Sequence, residues 1–425
     1  MTTPRDLEAA AEPVIDEVAG AARLAGALVD QLTIPVRDTH RALADRVFRP
    51  FGPAATPVRL VHDGLSGAVY ASVRGGARLT GAAAGTLLAM AHGRQDRRSL
   101  SAHPRGAQAL AFASGLLGDW MDGRADDLTV RTTLTQHGRP VSTDPAVLAE
   151  EVGAVADRVV FLVHGLAETT ASWRWWSADR DGRPVPSYSE RLADEGWTPL
   201  EVGYNTGLPV TASGRDLANL VDRLVDAWPV PVAEVALVGH SMGGLVVGVA
   251  CHHGVEEAQP WTDRVRHVVT LGTPHRGSWL AVLAARGAQT FGRLPETRGL
   301  GGILDLRSPG IRDLTEGWPG RPPVAADGDD PVPAIRTLAE LLPHAHHSFV
   351  ASTLRTPTHP LSRLLGDGLV HPRSSTGPAK GGGPNVRVRQ HAGVGHVRLV
   401  HHPAVADDLV DWLGPRTTPA PPLSR

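Results

Sequence analysis

Gly239-His240-Ser241-Met242-Gly243-Gly244 fits the pattern G-x-S-x-G. An apolar run, Val235–Val238, precedes it, and a helical apolar stretch, Leu245–His252, follows. A strand that reverses sharply into a helix leaves no room for side chains at the flanking positions, hence the glycines. Such a turn holds a serine hydroxyl above the C-terminal edge of a sheet, with a helix N-terminus beneath it. Ser241 is therefore the expected nucleophile. The competing reading is a tight turn that happens to contain serine.

A serine that attacks an ester carbonyl needs backbone N–H groups aimed at the developing oxyanion. One is expected from Met242, just after the serine. The other is expected from Leu166, in the loop that follows His164-Gly165, where His164 itself reads as a structural loop residue. A base and its orienting acid should follow in the order Ser, Asp, His. His396, in Gly393-Val394-Gly395-His396, is the expected base, with His391, His401 and His402 as nearby competitors. Asp367, in Gly366-Asp367-Gly368, is the expected acid, whereas Asp329 and Asp330 read as a solvated loop. No cofactor is needed. Cys251 is the single cysteine, so a disulfide within the chain and a cysteine-based metal centre are excluded. His344, His346 and His347 have no carboxylate cluster around them, and no metal is expected there.

The frame that must position these residues reads as strands alternating with helices. Arg158–Val163 is a continuous apolar run, as in a strand covered on both faces. Strands are also expected over 200–204, 235–238, 265–271 and 348–354, and helices over 214–228, 245–252 and 404–413. That alternation predicts a mostly parallel sheet with helices on both faces. Residues 279–345 interrupt it. They are too long for a simple connection and are expected to form a lid-like insertion over the active site. Residues 415–425 read as a disordered tail. Upstream, residues 1–150 form a mainly helical region, with helices expected over about 5–32, 38–49, 65–91 and 103–121. A small β-ribbon follows, with a turn at His137-Gly138 and a returning strand at Val141. The catalytic domain is placed at 151–414.

The 425 residues allow two or three domains, and 42% hydrophobic residues suffice for a large core. Basic and acidic residues number 42 and 44, a balance that argues against nucleic-acid binding. The N-terminus lacks a secretory-signal pattern, so the cytoplasm is the expected address. The charge-free stretch Leu79–Ala91 is 13 residues long, against roughly 20 needed to span a bilayer. The N-terminal helices are thus expected to be buried or self-associating, with peripheral membrane contact as a further reading. The sequence does not fix an oligomeric state.

VHGL at 163–166, YNTG at 204–207, GHSMGG at 239–244, LGTPHRGS at 271–278, GDGLV at 366–370 and GVGHVRLV at 393–400 together resemble α/β-hydrolase-fold lipases and esterases. Within that group the chain is similar to the bacterial branch related to GPI inositol-deacylases and triacylglycerol lipases. The resemblance covers roughly residues 155–414, and residues 1–150 match no motif of the family. It implies Ser241, Asp367 and His396 as a catalytic triad and Leu166 and Met242 as the oxyanion hole. It also places LGTPHRGS beside the nucleophile, opening toward the lid. Substrate contacts are expected from Trp173 and Trp176, in a dense aromatic patch with Trp175, and from His240 and His275 in the motifs. Ordinary packing of a long loop is the other reading of the tryptophans.

The expected activity is hydrolysis of a lipid-like or apolar acyl ester through an acyl-enzyme. Acyl transfer to an alcohol on the same triad is the alternative. A third reading is a non-catalytic scaffold whose N-terminal region docks to a membrane or partner. An epoxide- or haloalkane-cleaving relative would want aspartate at position 241.

Overall fold

In a computed structural model the described residues are 17–91, 104–121, 128, 130–153, 155–175, 184–278, 308–316, 342–376 and 385–414. Most of the expected insertion at 279–345, Trp176, the tail at 415–425 and the first 16 residues lie outside them.

The chain divides into two units, with a break at Thr129/Val130. In the N-terminal unit, α1 (Glu17–Phe48) and α2 (Thr56–Ala91) are joined by a 3-10 segment, and α3 (Pro104–Met121) follows. The two patches expected at 5–32 and 38–49 are one continuous helix from Glu17, which runs through Pro35. Gly26 and Gly81 let α1 and α2 touch, since a Cβ on Gly81 would lie 3.0 Å from the Gly26 Cα. Beside that contact Asp30 is buried and accepts from Arg74 Nε and Arg78 Nη2, each at 2.6 Å. Burial works against its charge, but the two guanidinium groups hold its carboxyl below the usual range. No helix among the described residues is long and apolar enough to cross a membrane.

Among the described residues the second unit is built on eight strands: β1 (Thr133–Gln136), β2 (Arg139–Val141), β3 (Arg158–Val163), β4 (Thr198–Gly203), β5 (Glu234–His240), β6 (Val265–Leu271), β7 (His346–Thr353) and β8 (Val386–Ala392). Their order in the sheet is β2-β1-β4-β3-β5-β6-β7-β8. The pairs from β4 to β8 are parallel, while β1 runs antiparallel to both β2 and β4. The ribbon expected at 129–141 is therefore part of this sheet. Thr133 faces Gly203 across the β1–β4 ladder, so the sheet begins ahead of the division expected at residue 150.

Between the strands lie α4 (Pro145–Glu151), α5 (Tyr188–Asp194), α6 (Val210–Ala227), α7 (Met242–Glu256) and a closing helix, Pro403–Leu413. The apolar run of β3 is explained by its two faces. Val159, Phe161 and Val163 pack with Leu217, Leu224 and Leu245 of α6 and α7. Val160 and Leu162 pack with Leu192, Leu409 and Trp412 on the other side. Arg158, at the start of β3, is buried beneath the closing helix. It pairs with Glu234 at 3.0 Å, donates to the Leu413 and Gly414 carbonyls at 2.6 and 2.9 Å, and lies over the Trp197 ring at 4.1 Å.

From β3 the chain goes to β4 on one side and later to β5 on the other. Such a reversal opens a crevice at the C-terminal ends of the strands. The register pairs Val163 with Gly239, so the loop after β3 and the turn after β5 meet at that crevice.

Candidate active site

Ser241 sits between β5 and α7 with φ 51° and ψ −121°, a left-handed conformation foreign to a residue with a side chain. Its N–H donates to the Leu271 carbonyl at 2.8 Å, which pins the turn to the end of β6. Gly243 is demanded by close approach: a Cβ there would lie 2.3 Å from the Val163 carbonyl oxygen and 2.5 Å from that of His164. The serine itself is part-exposed at the crevice.

The Ser241 hydroxyl lies 2.8 Å from His396 Nε2. The other ring nitrogen, Nδ1, lies 2.7 Å from Asp367 Oδ2. Asp367 is almost fully buried, and its Oδ1 accepts from the N–H groups of Leu369 and Val370 at 3.0 and 2.8 Å. A carboxylate so held can only accept, so Nδ1 carries hydrogen and Nε2 presents its lone pair to the serine. Gly272, in the LGTPH segment, makes room for the imidazole, since a Cβ there would lie 3.2 Å from His396 Nδ1. The competing His391 is engaged elsewhere, 2.7 Å from Asp408.

The loop after β3 is folded tightly onto the serine turn. Ala167 adopts φ 58°, and the Gly165 N–H donates to the Glu168 carboxylate at 2.8 Å. YNTG supplies its supports. The Tyr204 hydroxyl donates to the His164 carbonyl at 2.8 Å, and the Ala167 N–H donates to Thr206 Oγ1 at 3.2 Å. His164 is buried and stacked on Tyr204 at 4.7 Å, a structural loop residue. The N–H of Leu166 makes no hydrogen bond among the described residues. Met242 opens α7, where first-turn N–H groups lack an intrahelical acceptor.

The expected substrate contacts fare differently. Trp173 is fully buried between the sheet and α5, so it packs the core and has no face for a ligand. His240 is also fully buried and meets Glu168 and the His396 carbonyl, which removes it from the substrate-facing surface. His275 turns back on its own segment, 3.1 Å from Thr270 Oγ1 and edge-on to Phe349. Burial depresses its ring to about 4, so it stays neutral at ordinary pH. From the expected insertion, the described helix Pro309–Glu316 lies close by, with the Gly310 backbone against Thr206 and the Met242 side chain. Glu168 was not among the expected site residues. Its partner His240 is 72 positions away, and no local motif marks it.

A family model described as "PGAP1-like alpha/beta domain" matches residues 216–288. A triacylglycerol lipase of Burkholderia plantarii is 29% identical over 150 residues, which are 34% of this chain and 37% of the relative. The chain thus spans little more than a third of the length of that curated relative. Among solved structures, a mature lipase of Bacillus licheniformis aligns with TM-score 0.42 and 18% identity, covering 67% of this chain and 98% of that one. An esterase of Pyrococcus furiosus aligns with TM-score 0.33 and 19% identity, covering 61% and 83%. Sheet order, serine turn and crevice define an α/β-hydrolase fold. The family model and the curated lipase show what part of the chain is similar to, over residues 216–288 and over 150 residues.

Proposed function

We propose that this protein is a serine carboxylic-ester hydrolase acting on lipid-like or otherwise apolar acyl esters. The observation that carries the reading is the continuous hydrogen-bonded line from Ser241 Oγ through His396 to Asp367. As Oγ bonds to the ester carbonyl carbon, His396 Nε2 takes the hydroxyl proton. Asp367 holds the tautomer and stabilises the imidazolium. The N–H groups of Leu166 and Met242 receive the oxyanion. His396 then gives its proton to the departing alkoxide, leaving an acyl-serine. Water passes a proton to His396 as it attacks the acyl carbon, and the acid leaves with serine restored. Acyl transfer follows the same steps with an alcohol in place of that water.

The test is a panel of p-nitrophenyl esters from short to long acyl chains, with and without a lipid interface, together with fluorophosphonate labelling. The wild type is expected to cleave and label, preferring longer chains, and Ser241→Ala to do neither. Labelling that survives in Ser241→Ala removes the serine from its role. Product analysis with added alcohol separates hydrolysis from transfer.

The N-terminal hairpin supports peripheral contact with lipid. Val58, Val61, Leu65, Val69 and Val73 are exposed at helical spacing along one side of α2, while Arg74 and Arg78 turn toward Asp30 of α1. Co-sedimentation with phospholipid vesicles should fall in a Val61→Asp/Leu65→Asp variant, and unchanged binding removes this face from the reading.

A further inference from the structure

One buried charged pair beside the serine has no part in the steps above. Glu168 Oε2 lies 3.0 Å from His240 Nδ1 and also accepts the Gly165 N–H at 2.8 Å. The other His240 nitrogen, Nε2, lies 3.2 Å from the backbone carbonyl of His396. The two imidazoles, His240 and His396, sit with centroids 5.0 Å apart. Glu168 is 8% exposed and His240 is fully buried. A pair so placed contacts three separate loops: the one after β3, the serine turn and the loop that carries His396.

The proton count follows from the partners. A carbonyl oxygen can only accept, so Nε2 of His240 carries hydrogen. Nδ1 faces a carboxylate oxygen that already accepts from Gly165, so the remaining proton lies between Nδ1 and Glu168. The surrounding groups are His164, Tyr204, Asp367 and His396. His164 stays neutral, because burial lowers its ring. Tyr204 keeps its proton and donates it to the His164 carbonyl. Asp367 acts on His240 in the direction of holding its proton. Burial opposes charge on both members of the pair. Their mutual attraction overcomes it, drawing Glu168 down to about 2 and raising His240.

We propose that Glu168 and His240 form an imidazolium–carboxylate clamp, a pair of positioning residues that fixes the oxyanion loop against the backbone of the base. The clamp rests on the hydrolase reading of Ser241. A group in the chemistry displaced by about 1 Å can cost about 100-fold in rate. The carboxylate sets the turn that presents the Leu166 N–H, and the imidazolium holds the carbonyl of His396. Loosening either moves donor and base relative to the serine without touching the substrate.

The experiment compares full-length wild type, Glu168→Gln, His240→Gln and the double variant on a p-nitrophenyl ester, with active sites counted by fluorophosphonate titration. Each single variant should lose about 100-fold in kcat, with KM within about threefold. The double variant should be no worse than the worse single one, as for residues that act as a unit. Variants that melt earlier but keep wild-type kcat per titrated site overturn the positioning role and leave the hydrolase reading standing. A wild type that neither cleaves nor labels overturns the hydrolase reading itself. A second arm uses nitrogen-15 NMR of Ser241→Ala at pH 7, above the ordinary imidazole value of about 6.5. Two protonated nitrogens on the His240 ring are expected there, and a neutral ring overturns the clamp.

Discussion

His396 and Asp367 are joined twice. The imidazole Nδ1 lies 2.7 Å from the carboxylate, and the His396 backbone N–H donates to the Asp367 carbonyl at 3.0 Å. The second bond makes the Asp367 loop a scaffold for the His396 loop, independent of side-chain charge. Position and tautomer of the imidazole are thus set by different atoms of one residue, and a substitution can separate them.

Asp367→Asn makes that separation. The asparagine oxygen can keep the bonds from Leu369 and Val370, and its amide then faces Nδ1 as a donor. The imidazole must move its hydrogen to Nε2 and can no longer accept from Ser241. A loss of about 10⁴-fold in kcat is expected, with a melting temperature close to wild type. Near-normal turnover on a p-nitrophenyl ester would place the acid elsewhere.

Ser241→Gly should stabilise the fold that it disables. A side chain held at φ 51° and ψ −121° stores about 1–3 kcal/mol, part of which glycine returns as extra freedom in the unfolded chain. Alanine keeps the strain. The Gly variant should exceed the Ala variant by about 1 kcal/mol in urea denaturation, and equal midpoints would show an unstrained turn.

Acid sensitivity should report on Glu168. Its carboxyl is lowered from 4.5 to about 2, so the stability it contributes is complete above pH 4.5 and is lost as pH falls toward 2. His240 is raised above 6.5, so its share is complete below that pH and is lost as pH rises through the folded value. The pair therefore stabilises most between these limits. Melting temperature measured against pH should fall less steeply below pH 4.5 in Glu168→Gln than in wild type. Parallel curves would count against an ionised Glu168.

The ribbon decides where the second unit can be cut. A chain begun at residue 151 loses β1 and β2, leaves the edge of β4 unpaired, and removes Leu134, Val141 and Leu148 from the core. Unpaired edges template aggregation. That fragment should aggregate, whereas one begun at residue 130 should elute as a single species in size-exclusion chromatography. A monodisperse 151 fragment would show that the β1–β4 pairing is dispensable.

Positions where the backbone must turn sharply were the legible ones. Glycines announce the serine turn and the Asp367 loop, and alternating apolar segments announce β3, β5, β6 and the closing helix. What sequence concealed is long-range. His240 looks like a motif residue facing a ligand, but its partner Glu168 comes from another loop. The hairpin at 133–141 is visible locally, while its pairing to β4 is not. Trp173 sits in a cluster that suggests a pocket, yet Tyr188 and the sheet enclose it. β8 is not among the strands expected from the apolar runs. It is an edge strand in which Arg387, Arg389, Gln390 and His391 break up the apolar residues, so it lacks the apolar-run signal that marks the central strands.

Arg158 imposes a timetable on biosynthesis. Its guanidinium is satisfied by carbonyls made 255 and 256 positions later. At about 5–20 residues per second, the nascent strand waits roughly 10–50 s for them. Glu234 and the Glu195 carbonyl can engage Nε and Nη1 earlier, but Nη2 lacks both of its acceptors until residues 413 and 414 emerge, so the finished interior arrives only after His396 has been made. A ribosome-arrested chain ending before residue 403 should be digested by protease at a site that the released protein protects.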